Sequence, residues 1–166
     1  MTSKKTSRYL EMEAVTRTKV FITWSEVEFQ CRNLHSQIKD HRIGPHLKTI
    51  IAIARGGMVP ATMLAHALGT QRLQSISISS YVNDLKKDLV VDPIPDYIKS
   101  ICNESTVLFV DDIVDSGATL GFIKSTFPKA HFASMITKAP AIYPDYFCAS
   151  IRTSDDWVVF PWEKTS

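Results

Sequence analysis

A single-domain α/β fold, a parallel sheet flanked by helices, is predicted by three observations on this 166-residue chain. Two segments, Lys48 to Ala54 and Thr106 to Val110, carry the uninterrupted apolar runs Ile50 to Ala54 and Val107 to Val110 and read as strands covered on both faces. Segments of helical period alternate with strand-like ones, the pattern of successive strand–helix–strand units. A turn of small residues lies beyond each run, Arg55-Gly56-Gly57 after the first and Ser116-Gly117-Ala118-Thr119 after the second.

The elements follow in chain order. Residues 1 to 19 read as an amino-terminal extension, loose or partly helical; Lys4, Lys5 and Arg8 have no apolar stretch behind them to make a secretory signal, and the domain spans 20 to 166. Ser25-Glu-Val-Glu28 fits a capping box, and Val27, Cys31, Leu34 and Ile38 continue at helical spacing, so a first helix runs to about Lys39. Gly44 and Pro45 break the chain before the first buried strand. After that strand Pro60 falls where a first helical turn tolerates it, and Met63, Leu64, Ala67 and Leu68 lead to Gly69 as a stop. Leu73 to Ser79 alternates around Ile76 and Ile78, a half-buried strand. Tyr81 to Ser100 has no clean period and reads as one long mobile excursion. The second buried strand ends at Val110, a helix runs from the 116–119 turn to about Phe127, and Pro128 ends it. Phe132 to Thr137 and Tyr146 to Ile151 are short strands, and Trp157, Pro161 and Trp162 mark the tail.

Composition narrows the function classes. Hydrophobic residues at 45% and charged residues at 22%, with 6 Gly and 8 Pro, exclude disorder, collagen and coiled coil. A net charge of +2 leaves no positive field of the kind that grips nucleic acid, and no apolar stretch approaches the ~20 residues of a transmembrane segment. Three cysteines without Cys-x-x-Cys spacing suit a reducing, cytoplasmic setting. The five histidines show no metal-ligand spacing and read mostly as surface residues, and neither a P-loop nor a dinucleotide fingerprint occurs.

The chemistry concentrates in Val107 to Leu120. A buried strand delivers Asp111 and Asp112 at its carboxyl end, and Ser116, Gly117, Ala118 and Thr119 then place backbone N–H groups and two hydroxyls at a helix start, where an anion is favoured. The carboxylates repel a phosphate but accept hydrogen bonds from vicinal hydroxyls or orient a hydrated Mg²⁺. A sugar phosphate is the expected ligand. A cap-and-turn role explains the acid pair alone about as well, but not the pair together with the loop.

Val107-Leu-Phe-Val-Asp-Asp-Ile-Val-Asp-Ser-Gly-Ala-Thr119 resembles the phosphoribosyl-diphosphate motif of the type I phosphoribosyltransferases. Ile51-Ala-Ile-Ala-Arg-Gly-Gly-Met-Val-Pro60 is similar to the pyrophosphate loop of that family, Ile78-Ser-Ser-Tyr81 to the start of its mobile hood, and Asp155-Asp-Trp-Val-Val-Phe-Pro-Trp162 to a purine-site segment, a combination found in the bacterial xanthine-guanine branch. The resemblance covers about Val20 to Trp162. It implies a small hood and a mobile loop over the sheet, and purine salvage by transfer of 5-phosphoribose from phosphoribosyl diphosphate to N9 of guanine, xanthine or hypoxanthine. It also implies a Mg²⁺ cofactor and a homo-oligomer, tetramer or dimer.

The implied roles fall residue by residue. Asp111 and Asp112 contact the ribose hydroxyls, with Asp112 toward the metal; Asp115, Ser116, Gly117, Ala118 and Thr119 hold the 5-phosphate; and Asp115 serves as base beside purine N7. Arg55 and Gly56 hold pyrophosphate next to a cis peptide at Ala54–Arg55, and Lys86 or Lys87 assists its departure where relatives often offer an arginine. Lys138 donates to the 6-oxo group, Trp157 stacks on the base, and the Val158 carbonyl meets the exocyclic substituent. Ser116 and Ala118 replace the commoner Thr and Gly, which leaves the loop intact provided residue 118 avoids positive φ. The alternative, a nucleotide-sensing regulator of the same fold without catalysis, normally brings a basic face or DNA-binding module that this sequence lacks.

Overall fold

The computed structural model describes residues 18–83, 86–102, 104–138, 142–150 and 156–163. In chain order these form β1 (Lys19–Phe21), α1 (Trp24–Asp40), β2 (Thr49–Ala54), α2 (Met58–Leu68), β3 (Arg72–Asn83), β4 (Lys86–Val91), α3 (Asp96–Cys102), β5 (Val107–Val114), α4 (Ala118–Thr126), β6 (His131–Thr137), β7 (Tyr146–Ser150) and β8 (Trp157–Val159). Six strands make one sheet in the order β4-β3-β2-β5-β6-β7, parallel except for the antiparallel β3–β4 pair. β1 and β8, from opposite ends of the chain, pair in parallel as a separate two-stranded sheet.

The continuous apolar runs have a simple cause. Successive strand residues point to opposite faces, and here both faces are covered. Ile50, Ala52, Leu108, Val110, Ala133 and Met135 pack with Val27, Cys31, Leu34 and Ile38 of α1 and with Ala61 and Leu64 of α2. Ile51, Ile53, Val107, Phe109 and Phe132 pack on the other side with Ile98 of α3 and Leu120 and Ile123 of α4. Burial pushes the free thiols of Cys31, Cys102 and Cys148 up to about 12, 11 and 11, which disfavours the thiolate at neutral pH.

Four expectations are corrected. The capping box of α1 is Thr23 with Glu26: Glu26 N–H donates to Thr23 Oγ1 at 3.2 Å and Thr23 N–H to Glu26 Oε2 at 2.7 Å. Ser25-x-x-Glu28 has the same spacing two residues later, but α1 begins at Trp24, so Ser25 already lies inside the helix. The supposed excursion over Tyr81–Ser100 holds the end of β3, the strand β4 hydrogen-bonded to it, and most of α3, whose seven residues bury only Ile98 and Cys102 and are too short for a period to register. β5 continues through both acids to Val114, because Asp111 still pairs with Ser134 and Val114 with Thr137 on β6. Trp162, expected in a tail, packs against the body instead; its ring stacks on Phe160 at 4.8 Å and lies 5.8 Å from Trp24. The extension over 1–17 and the strand end expected at Ile151 lie outside the described residues, whereas Thr18 accepts a hydrogen bond from Trp157 N–H at 2.8 Å.

Candidate active site

The strand order decides where a ligand can bind. From β2 the chain crosses to β3 on one side and later places β5 on the other, so a crevice opens between the carboxyl ends of β2 and β5. A cavity of about 1550 Å³ occupies that crevice, larger than the roughly 300–1,000 Å³ typical of one small ligand. Its wall includes Arg55 and Gly56 after β2, Asp111, Asp112, Asp115, Ser116, Gly117, Ala118 and Thr119 along and after β5, Lys138 after β6, and Trp157 and Val158 of β8. All but one of the residues singled out in the sequence therefore share one cleft. The exception is the lysine expected to assist departure, Lys86 or Lys87 at the start of β4, whose side chains lie outside the described residues.

Each wall follows from local structure. Gly117 adopts the left-handed conformation (φ 82°), which places Ala118 in the first turn of α4 with ordinary helical geometry; the unusual alanine thus sits one residue past the position that needs glycine. The first bond of the α4 ladder runs from Gly121 N–H to Gly117 C=O at 2.8 Å, so the amides of 118 to 120 precede it at the cavity. Of these, Ala118 N–H reaches Ser116 Oγ at 3.4 Å, and Ser116 and Ala118 are exposed. After β2 the Ala54–Arg55 peptide is cis, and Gly56 lies so close to β5 that a Cβ there would run into the Asp112 carboxylate.

The acid pair is electrostatically tense. Burial raises Asp112 to about 6, with an added push from the Glu163 carboxylate. Asp111 is raised well above the usual carboxylate range by burial and then by the Asp112 charge, although Asp112 N–H donates to Asp111 Oδ1 at 3.0 Å. Two carboxyls that resist ionisation together are suited to a cation or to hydroxyl donors, and their hard oxygen atoms match Mg²⁺, which takes one or two carboxylates and completes its shell from water and substrate phosphates.

Lys138 and Asp115 meet through strand register. Val114 pairs with Thr137, Lys138 N–H donates to Val114 C=O at 2.9 Å, and the next residues along both strands carry the two side chains, with Lys138 Nζ 3.3 Å from Asp115 Oδ1. Lys138 is only 9% exposed, unlike the solvated lysine usual at a strand end. Trp157 is 51% exposed, so it is a cavity wall and not core.

A family model described as the phosphoribosyl transferase domain matches residues 21–165. This chain belongs to that family. The phosphoribosyltransferase is 35% identical to a xanthine-guanine phosphoribosyltransferase of Ruegeria sp. (strain TM1040), over 86% of this chain and 84% of the relative. It is also similar to the crystal structure of a purine phosphoribosyltransferase from Pyrococcus horikoshii Ot3 at 27% identity and a TM-score of 0.69, covering 89% of this chain and 96% of the other. A Helicobacter pylori xanthine-guanine-hypoxanthine phosphoribosyltransferase shares the fold at 23% identity and a TM-score of 0.69, over 87% and 94% of the two chains.

Sequence reasoning missed four cavity residues of this phosphoribosyltransferase. Lys19 reads as part of the extension, yet β1 carries it opposite Trp157. Ser77 and Ser79 face the cleft from β3, where their alternation with Ile76 and Ile78 was the available signal. Glu163 reaches the wall because the chain turns after β8, which no local pattern announces.

Proposed function

We propose that this phosphoribosyltransferase serves purine salvage, transferring 5-phosphoribose from phosphoribosyl diphosphate to N9 of a 6-oxopurine with release of pyrophosphate. The observation that carries the reading is the single cleft whose lining brings together an acid pair, an amide-lined loop, a buried lysine paired with a carboxylate, and a half-exposed indole. In this reading Ser116 to Thr119 hold the 5-phosphate, Asp111 and Asp112 accept the ribose hydroxyls, and Arg55 with Gly56 holds the leaving pyrophosphate. Lys138 donates to the 6-oxo group, Asp115 takes the purine proton through N7, Trp157 stacks on the base, and the Val158 carbonyl accepts from the exocyclic substituent. Positive charge grows on the ribose as the bond to pyrophosphate lengthens, so catalysis comes from alignment and charge placement without a covalent nucleophile. Asp112, with Asp111, would hold Mg²⁺, which supplies charge neutralisation to the pyrophosphate when bound. A lysine of β4, Lys86 foremost, assists departure.

The domain begins with β1 at Lys19, one residue before the start expected from the sequence. Exposed Phe21, Trp24 and Phe29 support assembly as a dimer or tetramer, and the free thiols support a reducing, cytoplasmic setting. No described helix is long and apolar enough to cross a membrane.

Incubation with phosphoribosyl diphosphate, Mg²⁺ and each nucleobase tests the reading. Pyrophosphate release is expected with at least one of guanine, xanthine and hypoxanthine and not with adenine; no release with any purine overturns catalysis, and equal use of adenine removes the role of Lys138. Trp157→Ala is expected to weaken base binding by about 1–3 kcal/mol, the scale of stacking on single-stranded bases, seen as a raised KM for the purine. An unchanged KM would make the indole an idle wall.

A further inference from the structure

At the opposite edge of the sheet lies a second cavity, of about 600 Å³, that no part of the proposed reaction uses. It is bounded by His41 and Arg42 after α1, His46 and Lys48 before β2, Thr106 before β5, and His131 at the start of β6. Three of the five histidines, scattered in sequence, thus come together with an arginine and a lysine. No carboxylate belongs to the lining. Among the described residues, Arg42, His46 and Lys48 form no ion pair; the nearby Glu104 carboxylate instead accepts from Thr106 Oγ1 at 3.0 Å.

One side of this cleft is built, not a loose fringe of surface charge. Tyr146 Oη and His41 Nδ1 share a hydrogen bond of 2.7 Å, and the His41, His131 and Tyr146 rings lie within 6.4 Å of one another. The bond to Tyr146 fixes the His41 ring. Burial holds His131 below the ordinary imidazole range, helped by His41 and Lys124 against the pull of Asp145. Like charges gathered round a concavity with low-dielectric walls focus positive potential into it, and only an anion with several oxygens can use an arginine fork, a lysine and imidazole donors at once.

We propose that this amino-edge cleft binds an oligophosphate anion, a chain of two or more phosphates either free or carried by a nucleotide, at a site separate from the catalytic cavity. β2, β5 and β6 begin at this cleft and end beside Arg55, Asp115 and Lys138, which puts those three residues about 20 Å from it at the usual rise per residue. Occupancy of one therefore leaves the other open.

Histidine side-chain resonances provide a local readout at constant pH. On titration of the full-length protein with inorganic triphosphate, His41, His46 and His131 are expected to shift together and saturably with one Kd, while His35 and His66, which do not line the cleft, stay fixed. The double substitution of exposed residues Arg42→Gln and Lys48→Gln is expected to weaken that Kd on the order of tenfold or more, the loss of two charge-assisted contacts. Repeating the titration with GTP distinguishes the sources: tighter binding than triphosphate assigns the site to a nucleotide, and equal binding to the phosphate chain alone. Absence of a saturable shift through the millimolar range, equal shifts at all five histidines, or an unchanged Kd in the double variant would overturn the proposal.

Discussion

Asp115→Asn is expected to lower kcat by about 10²–10⁴-fold, the usual contribution of a positioned general base, with nucleotide affinity changed far less. Asparagine keeps the shape and the hydrogen-bonding reach of the aspartate but cannot take up the proton that leaves the purine. The substitution also removes the carboxylate from Lys138, whose side chain is 7% exposed, while Asp115 itself is 46% exposed. Water on the Asp115 side limits the structural part of the effect, so the thermal midpoint should move little. Steady-state turnover and product-nucleotide binding, measured on the same preparation, separate the two contributions. Unchanged turnover would reject Asp115 as the base.

The second large effect is steric. Gly56→Ala places a methyl group where the Asp112 carboxylate lies, and Asp112 is almost fully buried on β5, so the carboxylate must swing out of its place. Displacements of about 1 Å in a positioning group cost on the order of 10²-fold in rate. A loss of that order in kcat/KM for phosphoribosyl diphosphate is therefore expected, with the far-ultraviolet spectrum of the fold retained. Activity within twofold of the parent would show that Asp112 need not stand against the Arg55–Gly56 turn.

Both predictions depend on parts of the molecule that differ in how openly the sequence displays them. The buried strands were legible because burial on both faces writes itself as an unbroken apolar run, as in Ile50 to Ile53 and Val107 to Val110. The 116–119 turn was legible because a glycine, a helix start and two hydroxyls fall within four residues, Ser116 to Thr119. The β1–β8 pair was not, since three-residue strands carry no period and their partners stand at the two ends of the chain. For the same reason Lys19 went unassigned to the cleft. The burial of Lys138 was equally hidden: it arises from the parallel register of β5 and β6, which sets Asp115 beside it across a gap in sequence that local pattern cannot bridge. In the β3–β4 region, backbone pairing supplies the order, and the apolar residues along it, Ile78, Leu89, Val90 and Val91, mix with Ser, Lys and Asp without a clean alternation.

The central claim is spatial: one cleft receives a ribose 5-phosphate between the start of α4 and the acid pair, with the base directed toward Lys138 and Trp157. A crystal structure of the protein with guanosine 5′-monophosphate tests it most directly. The predicted result has the phosphate on the amides of residues 116 to 119, the ribose hydroxyls on Asp111 and Asp112, and the guanine ring against Trp157 with its 6-oxo group on Lys138. A nucleotide whose phosphate lies elsewhere, or whose ribose hydroxyls turn away from both carboxylates, would contradict it.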